Sequence, residues 1–157
     1  MSDTVVSTLS TLTTFTAADG ENLAVQDWPL LEGTSRGTVL LVHGLGEHVG
    51  RYDAVARRLN AWGFAVRGYD QYGHGESGGP RGGLTSAMRL LDDLADIVDA
   101  TRARMAPGQP LVLLGHSMGG LVAARFVSMH LRPVDALVLS SPALDPGLNA
   151  VQKLLLA

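Results

Sequence analysis

The 157-residue sequence contains no cysteine. That excludes a disulfide framework, a thiolate metal site and a cysteine nucleophile. Lysine is nearly absent too. Lys153 is the one lysine among twelve basic residues, and without a glycine–lysine pair there is no P-loop. Charged residues make up 17% of the chain, and the net charge of −3 comes without any basic cluster, so no nucleic-acid footprint is present. No apolar run approaches the roughly 20 residues of a membrane-spanning helix. Residues 1–15 are rich in serine and threonine and lack the basic and apolar regions of a secretory signal, so a cytoplasmic location is expected. Glu47-His48 and the Asp70/His74 pair lack further partners at metal-ligand spacing, so no metal centre is expected.

What the chain does have is apolar material, 46% of its residues, in a length suited to one domain. Residues 9–17 alternate loosely, Asp19-Gly20 signals a tight turn, and residues 23–30 can pair back as the second strand of a hairpin. Residues 38–42 form a β-branched apolar run of the kind buried in parallel sheets. A helix is expected over residues 51–62, with Val55, Leu59 and Trp62 on its apolar face and Gly63 ending it. A strand over 64–69 closes at Asp70, and a glycine-rich loop follows from Gly73 to Gly83. From Leu84 to Met105 the positions Leu84, Met88, Leu91, Leu94, Val98, Thr101 and Met105 share one helical face. Arg89, Asp92, Asp93, Asp96 and Asp99 are expected on a solvated surface. A strand over 135–140 comes last. Strands alternating with helices predict an α/β fold with a mainly parallel sheet, whose ligands sit beyond the carboxyl ends of the strands.

One stretch organises this pattern. Residues 111–114 read as a strand buried on both faces, followed at once by Gly115-His116-Ser117-Met118-Gly119 and then by helix-compatible sequence. Strand, tight turn and helix are the setting of a nucleophile elbow, which holds a serine hydroxyl at a helix N-terminus. A second Gly-x-Ser-x-Gly, Gly75 to Gly79, runs into Pro80 and more glycine where a helix would have to begin, and it reads as loop.

Four segments in order then resemble the monoacylglycerol lipase-like, or serine aminopeptidase-like and lysophospholipase-type, α/β-hydrolases. They are His43-Gly44-Leu45-Gly46-Glu47-His48 with Arg51-Tyr52, Asp70-x-x-Gly73-His74-Gly75-x-Ser77, Gly115-His116-Ser117-Met118-Gly119-Gly120, and Ser140-Ser141-Pro142-Ala143-Leu144. The resemblance implies an α/β-hydrolase sheet with helices on both faces and an N-terminal hairpin, incomplete at its C-terminal strands. It implies Ser117 as nucleophile, the backbone N–H groups of Leu45 and Met118 as oxyanion hole, and loop-shaping roles for His43, Glu47, His48, Asp70 and His74. It further implies a lipid or other ester substrate of monoacylglycerol or lysophospholipid type and no cofactor.

A serine nucleophile needs a general base oriented by a carboxylate, and in this fold the acid and then the histidine follow the serine. After Ser117 the one histidine is His130, about 13 residues on and roughly 20 Å away if both lie on one helix. It precedes Asp135 and Asp145. The expected organisation is therefore residues 1–146 as the N-terminal part of a hydrolase core and 147–157 as the start of a lid or a frayed tail. Such a chain is a fragment, one half of a hydrolase completed by a second polypeptide, or a degenerate protein without activity. The competing class is a dinucleotide-binding unit using Gly44, Gly46 and Gly50 with Asp70 on a ribose, against which Glu47 would put a carboxylate beside the pyrophosphate.

Overall fold

The hairpin forms where Asp19-Gly20 places it. Strands β1 (Thr11–Thr16) and β2 (Asn22–Trp28) pair antiparallel with Thr16 opposite Asn22 in the computed structural model, which describes residues 10–145. Gly20 takes the left-handed backbone (φ 88°) that a side chain resists, and the Asp19 carboxylate accepts the Glu21 N–H (3.1 Å) to close the turn.

The remaining strands are β3 (Thr38–Val42), β4 (Ala65–Tyr69), β5 (Leu111–His116) and β6 (Ala136–Ser140). The sheet order is β1-β2-β4-β3-β5-β6, with β2 antiparallel to β4 and the β4-β3-β5-β6 ladder parallel. All five residues of β3 are buried, as expected for a central parallel strand covered on both faces. Helices α2 (Arg89–Arg104) and α3 (Met118–Ser128) cover one face, packing Leu94, Ile97, Val98, Ala123 and Phe126 onto Leu40, Val42, Leu111 and Leu113. Helix α1 (Asp53–Ala61), preceded by a 3-10 turn over Val49–Tyr52, covers the other face through Val49 and Ala56 against Val39, Leu41 and Val66. Trp28, fully buried, donates its indole N–H to Asp53 (2.9 Å) and so anchors the start of α1. Each buried aliphatic side chain contributes about 1.5–3 kcal/mol to this assembly. No described helix is long and apolar enough to cross a membrane.

Four expectations need correction. In α1 the face turned to the sheet carries Ala56 and the partly buried Leu59, as expected for Leu59, whereas Val55 and Trp62 are exposed. Helix α2 begins at Arg89 instead of Leu84, and residues 84–88 are bends and turns with Leu84 exposed. Asp92 and Asp99 of α2 do face solvent, but Arg89 and Asp93 are buried. Their i,i+4 spacing lets the Arg89 Nε–H donate to Asp93 (2.8 Å), while its Nη1 reaches Asp19 and its guanidinium lies 4.1 Å from the Tyr72 ring centre. Burial raises the Asp93 pKa against the lowering by Arg89. Finally, β5 is not buried on both faces among the described residues. Leu111, Leu113 and Gly115 are buried, whereas Val112 and Leu114 are half-buried, since α1 lies over β2 and β4. Strand β6 is the edge of the described sheet, with Val138 and Leu139 exposed, and the expected lid segment 147–157 lies outside the described residues.

Candidate active site

Strand β5 ends at His116 and α3 begins at Met118, which leaves Ser117 alone to make the turn. Its backbone sits at φ 52°, ψ −120°, a region costly for any residue with a Cβ. The flanking glycines are required by contact. A Cβ on Gly115 would run into the Gly119 carbonyl, and one on Gly119 would run into the carbonyl oxygens of Val42 and His43. A Cβ on Gly120 would come within 2.8 Å of Pro142. The strained turn is held from β6. Ser117 N–H donates to the Ser140 carbonyl (3.0 Å), and the Ser117 carbonyl accepts from both Leu121 (3.1 Å) and Ala143 (3.0 Å).

The loop after β3 is built on His43, which is fully buried. The Gln71 N–H donates to His43 Nε2 (2.9 Å), so the ring proton sits on Nδ1 and goes to the Gly44 carbonyl (2.7 Å). The Gln71 side-chain amide donates in turn to the His43 carbonyl (2.6 Å). Burial lowers the His43 pKa and keeps the ring neutral. Gly44 lies against the nucleophile: a Cβ there would be 3.2 Å from the Ser117 Cβ. Its N–H is committed to the Glu47 carboxylate (2.6 Å), which also accepts the Tyr52 hydroxyl. Burial alone would raise the Glu47 pKa, but these two donors hold it below the usual range; burial and Glu47 together raise that of Tyr52. The next N–H along the loop belongs to Leu45, whose side chain is exposed beside Gly46 at φ 72°. Met118, the first residue of α3, supplies an N–H with no acceptor inside its own helix.

Asp70 joins this loop to the glycine-rich one. One carboxylate oxygen accepts Val49 N–H and the other Glu76 N–H, both at 2.8 Å, and a Cβ on Gly75 would collide with it. With both oxygens engaged and the residue buried, Asp70 has nothing to offer a ribose, and Gly44 and Gly46 lead into a 3-10 turn that contains Gly50 and is tied to Glu47 through Tyr52. The dinucleotide reading is thereby overturned. In the second Gly-x-Ser-x-Gly, Ser77 is buried, donating to the Asp70 carbonyl and accepting Ala24 N–H (2.8 Å). It is loop architecture. His74 is buried with Nδ1–H on the Tyr72 carbonyl (3.0 Å) and its ring 5.2 Å from that of His43. His48 is exposed on the rim of a cleft of about 320 Å³ between residues 45–48 and 73–75.

Leu45 thus follows β3 and Ser117 and Met118 follow β5 at the carboxyl ends of these adjacent strands, with Gly44 packed against Ser117. His130 does not join them: it is exposed at the far end of α3. Asp135 sits at the opposite end of the sheet, where it accepts Leu111 N–H (2.7 Å) and pairs with Arg102 (3.2 Å). Three contributors were not singled out from sequence. Gln71 carries no motif signal; Tyr52 and the Ser140–Ala143 bracing fall inside segments that match the resemblance, which was the available clue.

The family model described as "Serine aminopeptidase, S33" matches residues 33–157. Among curated proteins, the monoacylglycerol lipase of Mycolicibacterium smegmatis is 40% identical over 126 residues, covering 76% of this chain and 45% of the lipase. Human monoglyceride lipase is 36% identical, covering 80% of this chain and 41% of that protein. Among solved structures, a soluble variant of Saccharomyces cerevisiae monoglyceride lipase with a substrate analogue superimposes with a TM-score of 0.80 at 28% identity, covering 90% of this chain and 47% of that one. The chain spans less than half the length of each. With its 1-2-4-3-5-6 sheet, its elbow and these matches, the chain belongs to the serine aminopeptidase S33 family of α/β-hydrolases.

Proposed function

We propose that the chain carries the nucleophile half of a serine hydrolase for carboxylic esters of monoacylglycerol or lysophospholipid type, located in the cytoplasm. The observation that supports the reading is Ser117 on its strained elbow with Gly44 packed against it; on this reading the neighbouring Leu45 and Met118 N–H groups form the oxyanion hole. In the reaction the Ser117 hydroxyl adds to the ester carbonyl and its proton passes to a base. The tetrahedral oxyanion takes hydrogen bonds from Leu45 and Met118, and collapse expels the alcohol, which recovers the proton. Water then cleaves the acyl-enzyme by the same route. Each donor in such a hole is worth about 3–4 kcal/mol of barrier. The lipase relatives support the substrate class; no cofactor enters.

On this reading the base and its orienting acid lie outside residues 118–157, which the placement of His130 and Asp135 supports. They come from further sequence or from a second polypeptide, and residues 1–157 alone are close to inactive. Hydrolysis of a short-chain p-nitrophenyl ester tests this. The expected result is negligible turnover by residues 1–157, and turnover lost on Ser117→Ala once a segment carrying an Asp and then a His is supplied. Robust turnover by residues 1–157 would overturn the missing-base argument, and turnover surviving Ser117→Ala would overturn the nucleophile.

A further inference from the structure

The loop that holds Leu45 contains one acid, and its carboxylate points into the loop. The Glu47 side chain is 15% exposed, with Arg51 3.7 Å from its outer oxygen. A carboxylate so close to a developing oxyanion is electrostatically adverse, so its presence asks for a compensating role. Two contacts supply one. The first is the hydrogen bond from Gly44 N–H at 2.6 Å, in which an acid reaches back three residues to a backbone donor as in a capping box. Without it, Gly44 N–H would be a third loose donor at the mouth of the hole. The second is the packing of Gly44 on Ser117, which makes any rotation of the Gly44–Leu45 peptide a displacement of the hole relative to the nucleophile. The Tyr52 hydroxyl, on the same Glu47 oxygen, fastens this arrangement to the 3-10 turn and through it to β4, where Val49 packs over Gly68.

We propose that Glu47 is a positioning residue of the oxyanion loop. It withdraws Gly44 N–H from the hole and fixes Leu45 N–H opposite Met118 N–H. The role requires an acceptor oxygen at this position and no negative charge. It rests on the reading of Ser117 as nucleophile with Leu45 and Met118 as its hole.

The test compares Glu47→Ala with Glu47→Gln by amide exchange of the ¹⁵N-labelled chain and, once a segment carrying an Asp and then a His is supplied, by the rate at which an alkyl fluorophosphonate labels Ser117. Glu47→Ala is expected to deprotect Gly44 N–H, shift the Leu45 amide resonance, and slow labelling by about 100-fold, the consequence of a hole misplaced by ~1 Å. Glu47→Gln keeps the acceptor and is expected to restore Gly44 protection and to label within about threefold of the parent, since a neutral acceptor is weaker than a charged one. Unchanged Gly44 exchange and Leu45 shift in Glu47→Ala would overturn the proposal, as would equal slowing in both variants. Labelling that survives Ser117→Ala overturns the nucleophile reading instead, and the exchange comparison still decides the loop.

Discussion

Replacing Gly119 by alanine tests whether the elbow is limited by backbone contact. The added methyl would point at the carbonyl oxygens of Val42 and His43, which are fixed by the β3 ladder and by the bonds to Gln71. Neither oxygen belongs to a side chain that can swing aside, so the first turn of α3 must move, by roughly 1 Å to restore an ordinary carbon–oxygen separation. Overpacking of this kind costs about 1–3 kcal/mol, and rigid backbone on the far side puts the expectation at the upper end. For a domain of this size that lowers Tm by about 6–12 °C. The functional consequence is larger than the stability loss, because the same movement carries Met118 N–H away from Leu45 N–H. A shift of ~1 Å in a catalytic donor reduces rate by about 100-fold. Calorimetry, and the rate of Ser117 labelling by a fluorophosphonate once a segment carrying an Asp and then a His is supplied, measure the two effects. Gly119→Ala with unchanged Tm and labelling would refute the argument. Lowered Tm with unchanged labelling would show that α3 tilts about its first turn and leaves the hole intact.

Two further predictions concern backbone strain and buried charge. Ser117→Gly relieves the positive φ, worth about 1–3 kcal/mol, against the greater freedom of glycine in the unfolded chain. It should melt about 2–4 °C above Ser117→Ala, which keeps the strain; a glycine variant less stable than the alanine one would contradict the strain assignment. His43 is held neutral by burial, so its folded pKa lies below the unfolded value of about 6.5. Below 6.5 the unfolded chain binds the extra proton. The stability it confers is therefore full above pH 6.5 and is lost as pH falls from there toward the folded pKa. Urea midpoints at pH 7.5 and 5.5 should fall more in the parent than in His43→Gln, and equal slopes would show that the ring is not buried in neutral form.

Much of this architecture was legible because it depends on period and punctuation. The β3 run from Thr38 to Val42 was read to the residue, since a central parallel strand must be apolar throughout. Ser117 was legible because glycines at 115, 119 and 120 follow a strand and lead into a helix. The failures lie where side chains answer to tertiary partners. Spacing places Val55, Leu59 and Trp62 on one stripe of α1, but the sheet receives Ala56 with Leu59 and leaves Val55 and Trp62 exposed. Arg89 and Asp93 look like an ordinary solvated i,i+4 pair. They are buried because Asp19 from the hairpin and Tyr72 from the glycine-rich loop converge on them, a convergence no local window contains.

The same convergence of separate segments shapes the surroundings of Ser117. Gly44 and Leu45 follow β3, Asp70 and Gln71 follow β4, Ser117 follows β5, and β6 with its exit holds the Ser117 backbone at both its N–H and its carbonyl. His43, Asp70 and the Gly44 N–H therefore find partners among neighbouring strand ends, while Gln71 Oε1 and His74 Nε2 are buried without one among the described residues. A base and its acid would add chemistry to this arrangement without being needed to shape it. The division follows from the parallel sheet. Strand ends that share a register bring their loops together two or three at a time, so the nucleophile and its hole belong to β3 and β5, adjacent strands paired from Thr38–Leu111 to Val42–Gly115. On the proposed reading, a base arriving from another strand would then meet a serine already held on a strained turn.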